Sequence, residues 1–215
     1  MAQAVARQKD RWPGETLRAT AVSRAFAGVD ALREVTLELH RHGVVGLIGP
    51  NGAGKTTLVN VISGFDFPTA GKILLGERDV TRWHANRRGR AGLSRTFQHS
   101  RSFRGLSVRE NVEVSALGVR TGTREARWRA DRLLEILGLA ERAEEQASSL
   151  PHGDERRLGV ARALAADPPV LLMDEPFGAI DPINREVIQD EFLKIHHRLR
   201  KTVMFVSHDI DEAVK

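Results

Sequence analysis

The sequence contains no cysteine and no apolar run long enough to cross a bilayer. The absence of cysteine excludes disulfides and thiolate metal sites, and it is typical of proteins in a reducing compartment. Residues 1–11 alternate small, polar and charged side chains and lack the apolar stretch of a secretory signal peptide. Because a transmembrane helix needs about 20 apolar residues, we expect any membrane role to depend on a partner.

Composition indicates a folded domain and leaves the partner open. Hydrophobic residues make up 41% of the chain and charged residues 28%, which is ordinary for a globular protein. The length of 215 residues fits one domain, with or without a small inserted subdomain. The net charge of +5 comes largely from arginine-rich stretches such as 82–90 and 120–132. A basic surface suits nucleic acid, acidic lipid headgroups or nucleotide phosphates, and it is equally compatible with a solvated arginine-rich surface.

The hydrophobic pattern predicts strands that alternate with helices. The predicted strands lie at 17–22, 34–39, 44–48, 72–75, 93–97, 170–173 and 202–206. The third and the last two are continuous apolar runs, which are typical of buried parallel strands. Helical periodicity covers 54–64, parts of 108–139, 154–166 and 181–199. The order predicts an α/β fold with a mainly parallel sheet, whose ligands bind beyond the carboxyl ends of the strands.

Local signals predict where several elements begin, end or leave the sheet. Gly64 is expected to cap the first helix at its C-terminus, and Thr123 to cap a later helix at its N-terminus. Because a glycine follows the strand at 72–75, we expect that strand to be a hairpin strand at a sheet edge. The change to helical periodicity after residue 108 predicts an inserted helical subdomain.

A glycine-rich loop lies between the predicted strand at 44–48 and the helix that follows. Its residues match the pattern G-x-x-x-x-G-K-[ST] and are Gly49, Pro50, Asn51, Gly52, Ala53, Gly54, Lys55 and Thr56, followed by Thr57. In this pattern backbone N–H groups surround phosphate oxygens at a helix N-terminus. The lysine reaches the β- and γ-phosphates, and the hydroxyl binds Mg²⁺. With the strand and helix in place, the sequence predicts a P-loop NTPase.

Two carboxylates follow the apolar run at 170–173. Asp174 is expected to hold Mg²⁺ through water, and Glu175 to orient or deprotonate the attacking water. Paired carboxylates at the end of a strand are often only solvated loop residues. Their combination with the phosphate loop favours the catalytic interpretation.

From residue 17 onward the sequence resembles the nucleotide-binding subunits of ABC (ATP-binding cassette) transporters. The resemblance implies one ABC ATPase domain over 1–215, with a nucleotide-binding core at 17–98 and 168–215. It implies a helical subdomain at 99–167 that carries the family's signature segment. Because the family normally continues with another strand and further helices, it also implies that the chain is truncated at its C-terminus.

The same resemblance implies roles for three further residues. Phe26 stands where the family has an aromatic that stacks on adenine, although a core phenylalanine would look the same in the sequence. Gln98 resembles the glutamine that senses Mg²⁺ and water and faces the membrane partner. His208 resembles the switch histidine that contacts the γ-phosphate, and its spacing after Asp174 and Glu175 favours this role over a structural one.

The signature segment departs from the usual Leu-Ser-Gly-Gly-Gln of the family. Here it consists of Leu150, Pro151, His152, Gly153 and Asp154. Pro151 removes the hydroxyl that in the family donates to the γ-phosphate on the opposite subunit. Gly153 and the helix N-terminus still offer backbone N–H groups. We therefore expect weaker stabilisation of ATP across a dimer.

The resemblance implies an ATP hydrolase that requires Mg²⁺ and closes as a head-to-tail dimer with a second ATPase subunit. It further implies a transmembrane permease as partner, an indirect substrate-binding protein outside the membrane, and a location at the cytoplasmic membrane face. Segments 92–98 and 150–154 resemble branched-chain amino acid importers. Segments 175–182 and 205–213 are closer to glycine betaine and quaternary-amine importers. Amino-acid import is the first expectation and quaternary-amine import the alternative.

Two other interpretations remain open. A soluble ABC-type ATPase acting on nucleic acid or the ribosome is favoured only by the basic charge. Such proteins usually have tandem cassettes, a long coiled coil or zinc-binding cysteines, so we expect no nucleic-acid partner. The other interpretation is an inactive fragment.

Overall fold

The computed structural model describes residues 15–97, 102–174 and 200–207. The strands in these ranges are β1 (Glu15–Phe26), β2 (Val29–His40), β3 (Val44–Ile48), β4 (Ala70–Leu75), β5 (Arg78–Asp79), β6 (Leu93–Arg95), β7 (Val170–Asp174) and β8 (Thr202–Ser207). The α-helices are α1 (Lys55–Ser63), α2 (Ala85–Ala91), α3 (Val108–Leu117), α4 (Thr123–Ile136) and α5 (His152–Ala165). Short 3₁₀ turns lie at Ala140–Arg142 and Ala147–Ser149.

The first sheet is antiparallel, with the order β2-β1-β4-β5. Strands β1 and β2 form a hairpin closed by Ala27 and Gly28, both with positive φ, the backbone that a tight two-residue turn requires. The prediction that 72–75 is an edge strand is wrong, because β4 pairs with β1 on one side and with β5 on the other. The two-residue strand β5 occupies that edge instead.

The second sheet is parallel, with the order β3-β8-β7-β6. Every residue of β7 and β8 is buried, as their continuous apolar sequences predicted. Strand β3 is parallel as expected, but it is not buried: Val44, Val45 and Ile48 are 36–40% exposed. Among the described strands β3 has a neighbour on one side only, so its apolar sequence is less covered than that of the central strands.

Two hydrophobic cores lie on opposite faces of the parallel sheet. Val170 and Leu172 of β7 pack with α1 and the antiparallel sheet, whereas Leu171 and Met173 pack with α3, α4 and α5. Successive side chains of a strand point to opposite faces, so one apolar strand serves both cores. The predicted α/β fold with an antiparallel portion is confirmed. The division into a core and a helical subdomain stays a prediction.

The helix ends differ from the sequence prediction at two places. Thr123 is not the N-cap of α4: Gly122 holds that position without a side-chain hydrogen bond, and Thr123 is the first helical residue. Helix α5 begins at His152, two residues earlier than predicted. The predicted helix at 181–199 lies outside the described residues. None of the described helices is long and apolar enough to span a membrane.

Candidate functional site

The loop between β3 and α1 closes around the side chain of Lys55. Lys55 Nζ donates to the carbonyl oxygens of Gly49 at 2.6 Å and Pro50 at 2.9 Å, and the residue is buried. A hydrogen bond within the loop, from the Ala53 amide to Pro50 O at 3.3 Å, stabilises this conformation. A lysine ammonium carries three N–H donors. Two of these donors are used within the part of the chain that the structure describes, which leaves one for a ligand oxygen at the start of α1.

Gly54 fixes the join between the loop and α1. Its φ is +83°, and a Cβ at this position would lie 2.4 Å from Ala31 O and 3.1 Å from Leu32 Cδ2. Both the left-handed backbone and the close approach to β2 therefore require glycine. At Gly52, with φ +84°, a Cβ would meet nothing within 4 Å, so only the backbone conformation favours glycine there.

The N-terminus of α1 is open to an anion. Among the described residues, no side chain caps the helix at Gly54, and the first turn contains no acidic residue. The first N–H groups of a helix have no partner within the helix, and they carry the positive end of its dipole. Thr56 is exposed and Thr57 half-buried in this turn. This arrangement fits a phosphate group, and the Thr56 hydroxyl is accessible to a cation bound beside it.

Asp174 ends β7 at the carboxyl edge of the parallel sheet, and it is paired with an arginine that sequence analysis missed. Arg95, at the end of the neighbouring strand β6, donates from Nη2 to Asp174 Oδ2 at 2.6 Å. Both side chains are almost fully buried. The signal in the sequence was a charged residue at the end of a predicted strand, three positions before Gln98.

Phe26 ends β1 and is 45% exposed, so the interpretation as a core phenylalanine does not hold. The guanidinium carbon of Arg24 lies 4.4 Å from the centre of its ring, and Arg24 also pairs with Asp66 at 2.9 Å. The arginine covers one face of the ring and fixes its orientation. An exposed, supported aromatic ring is what stacking on a base requires.

The altered signature segment opens α5. Pro151 is the N-cap residue and makes no side-chain cap, and Gly153 is the second helical residue, where a Cβ would meet nothing within 4 Å. Asp154 in the first turn pairs with Arg142 at 3.3 Å and with Arg157 at 3.4 Å. Gly153 therefore lies in the first turn of α5, a helix that packs with α3 and α4, rather than on the elements that carry the phosphate loop.

Three predicted site residues, Gln98, Glu175 and His208, lie outside the described residues. Their roles stay predictions. Of the predicted site, the structure describes the phosphate loop, the first turn of α1, Asp174 and Phe26, and it describes Gly153 on a separate helix.

Comparison with known proteins identifies relatives that match most of the chain. The family described as "ABC transporter" matches residues 32–178. The osmoprotectant import ATP-binding protein OsmV of Salmonella typhimurium is 38% identical over 203 residues, which is 94% of this chain and 53% of OsmV. The high-affinity branched-chain amino acid transport ATP-binding protein LivG of the same organism is 37% identical over 200 residues, 86% of this chain and 78% of LivG.

A solved structure agrees with the fold. The dimeric structure of MJ0796, described as a bacterial ABC transporter cassette, has a TM-score of 0.80 and 29% identity, and the match covers 92% of this chain and 90% of that one. The chain spans about half the length of OsmV and about three quarters of LivG. The resemblance predicted from the sequence is confirmed, and the chain belongs to the ABC transporter family.

Proposed function

We propose that this chain is the ATP-binding subunit of an ABC importer, which binds MgATP and hydrolyses it in a head-to-tail dimer to drive transport through a partner permease. The observation that carries the proposal is the loop closed around Lys55 at the uncapped N-terminus of α1. The loop offers N–H donors and one ammonium to the phosphates of a nucleotide. Phe26 offers an exposed ring to its base.

The remaining residues would act on the terminal phosphate. The donors present suit Mg²⁺, which prefers oxygen ligands, and Thr56 and Asp174 would hold it together with Gln98. Bound there, the ion would neutralise phosphate charge during the transfer. Glu175 would orient and deprotonate water, while Gln98 and His208 would contact the water and the γ-phosphate. The task of the protein is positioning and charge stabilisation rather than covalent chemistry.

The partners follow from the family and its relatives. A second ATPase subunit would place its phosphate loop opposite Gly153 and the N-terminus of α5. A permease would hold the dimer at the cytoplasmic face of the membrane, with a substrate-binding protein acting indirectly. The similarity to LivG favours a branched-chain amino acid as cargo, and the similarity to OsmV favours an osmoprotectant as the second candidate. We infer no nucleic-acid partner.

Substitution of Glu175 by glutamine tests the catalytic part of the proposal. The amide keeps the size of the side chain but cannot accept a proton from water, so we expect ATP to bind normally and turnover to fall by about 10²–10⁴-fold. The measurement is phosphate release by the purified chain alongside binding of a fluorescent ATP analogue. Glu77→Gln, in the exposed turn between β4 and β5, is the matched control and should keep wild-type turnover. Near-normal turnover in the Glu175 variant would remove this residue from the proposed mechanism.

A second experiment separates the two candidate cargoes. ATPase activity of the chain assembled with its permease would be measured with binding proteins loaded with leucine or with glycine betaine. Stimulation by the leucine-loaded protein alone supports amino-acid import. Stimulation by the betaine-loaded protein alone supports the alternative.

A further inference from the structure

We propose that Arg95 is a positioning residue for Asp174. It orients the Asp174 carboxylate and thereby strengthens Mg²⁺ binding. This role rests on the proposed function, because it assumes that Asp174 serves the cation beside the nucleotide. Arg95 itself would touch neither nucleotide nor cation. It would act through the carboxylate it holds.

The ion pair between Arg95 and Asp174 is short, and both of its side chains are almost fully buried. The distance from Nη2 to Oδ2 is 2.6 Å, and the side chains are 8% and 9% exposed. A charge-assisted hydrogen bond of this length fixes the carboxylate plane more firmly than a bond to water would. Only Oδ2 takes part, and a carboxylate has a second oxygen with which to accept from cation-bound water.

The other arm of the guanidinium reaches α1. Arg95 Nη1 donates to Asn60 Oδ1 at 2.7 Å and is 3.2 Å from Ser63 Oγ. One planar group therefore connects the end of β7 with the helix whose first turn contains Thr56. These two elements supply two of the three predicted Mg²⁺ ligands, Thr56 and Asp174, so the arginine holds both sides of the site in register. A lysine has a single ammonium and cannot make the same fork.

Two aromatic rings restrain the guanidinium further. Its carbon lies 5.0 Å from the ring centre of Phe97 and 5.7 Å from that of Phe65. The two rings meet edge to face, with centres 5.5 Å apart and planes at 87°. Cation–π contacts of this kind favour one orientation of the arginine. The side chain is therefore held by β7, by α1 and by two rings.

Loss of Arg95 should weaken Mg²⁺ binding without removing the nucleotide site. Mutation of a residue that orients a metal ligand typically lowers the affinity for the metal by about 10–100-fold. For Arg95→Met we expect the Mg²⁺ concentration at half-saturation to rise about tenfold or more. The affinity for nucleotide in EDTA should stay within about twofold of wild type, because Lys55 donates to carbonyls of the phosphate loop, whereas Arg95 donates to α1 and β7.

The experiment titrates a fluorescent ATP analogue into the full chain, first in EDTA and then at increasing Mg²⁺. Arg95→Lys should be intermediate between wild type and Arg95→Met, since it keeps the charge and loses the fork. Arg109→Met is the control, because Arg109 on α3 also forms an ion pair, with Asp131 at 2.6 Å, but lies among the helices of the other core. It should leave the Mg²⁺ midpoint unchanged. If Arg95→Met does not fold, Arg95→Lys alone decides.

Three results would overturn the inference. The Mg²⁺ midpoint of the Arg95 variants could equal that of wild type, or it could fall, as it would if the arginine merely competed with the cation. Affinity in EDTA could drop in parallel with affinity in Mg²⁺, which would indicate a general structural role. Failure of the proposed function looks different, because wild type itself would then bind no ATP analogue or would show no dependence on Mg²⁺.

Discussion

The two ends of α1 are completed in opposite ways. At the N-terminus, Gly54 provides no capping side chain, and the first turn has no acidic residue. At the C-terminus, Gly64 adopts the left-handed conformation and its N–H donates to Asn60 O. The buried Arg88 donates to Val61 O at 2.7 Å and to Ile62 O at 2.6 Å. One end is satisfied by the fold, and the other is left for a ligand.

Arg88 shows how much structure is devoted to the closed end. It is fully buried, and it also donates to Trp83 O at 2.8 Å and Thr81 O at 3.0 Å. Burial lowers the pKa of its guanidinium to about 10, which still leaves it charged at neutral pH. A positive charge is favourable at the C-terminus of a helix. Because the backbone groups at the C-terminus of α1 are so fully satisfied, the uncapped N-terminus of the same helix does not reflect poor helix capping throughout the described residues.

Substitution of Arg88 by methionine should have the largest effect on stability. The four carbonyl oxygens would lose their donor inside the core, and buried groups without partners are costly. We expect the free energy of unfolding to fall by about 3 kcal/mol or more, because each buried carbonyl left without a donor costs roughly 1–3 kcal/mol. Urea denaturation monitored by circular dichroism measures it.

Arg90→Met on the same helix is the control, because Arg90 is exposed. It should change stability by no more than about 0.5 kcal/mol. If Arg88→Met cost as little as the control, the closed end of α1 would not depend on this arginine.

Substitution of Lys55 by alanine acts on the open end and should affect binding more than folding. Hydrogen bonds to charged groups contribute roughly 1.5–3 kcal/mol, so the affinity for ATP should fall by about 10–100-fold. The free energy of unfolding should change far less than in the Arg88 variant, because within the described ranges Lys55 donates only to carbonyls of its own loop. Titration of a fluorescent ATP analogue tests this.

Lys72→Ala, on an exposed position of β4, is the matched control and should bind ATP normally. A loss of stability in Lys55→Ala as large as that in Arg88→Met would contradict the distinction between the two ends.

The arginines show where sequence-based prediction reached its limit. The stretch at 82–90 was compatible with a solvated basic surface, yet Arg88 within it is fully buried. Its neighbours Arg87 and Arg90 are exposed. Which arginine turns inward depends on carbonyls of α1, more than 20 positions away in the sequence. Arg95 was missed for the same reason, because its partners lie on α1 and β7.

The strands show the same division between local and distant causes. The parallel strands and the phosphate loop followed from continuous apolar runs and a glycine pattern, which are properties of neighbouring residues. The exposure of β3 and the interior position of β4 depend on sheet order, which no local pattern encodes. The start of α4 was misplaced by one residue, because glycine and threonine are both favoured at the N-cap and Gly122 stands directly before Thr123.

Helix α3 supplies the smallest and sharpest test, since its N-terminus is closed by its own sequence. Ser107 Oγ accepts from the Glu110 amide at 3.1 Å, and Glu110 Oε2 accepts from the Ser107 amide at 2.7 Å, which forms a capping box. Ser107→Ala should lower stability by about 1 kcal/mol and leave ATP affinity unchanged. The measurements are urea denaturation and nucleotide titration.

Thr123→Ala is the matched variant at α4, where the threonine is not the cap, and it should lower the free energy of unfolding clearly less. An equal loss of stability in the two variants would mean that Thr123 caps its helix after all. A loss of ATP affinity in Ser107→Ala would show that the closed N-terminus of α3 and the open N-terminus of α1 are not independent.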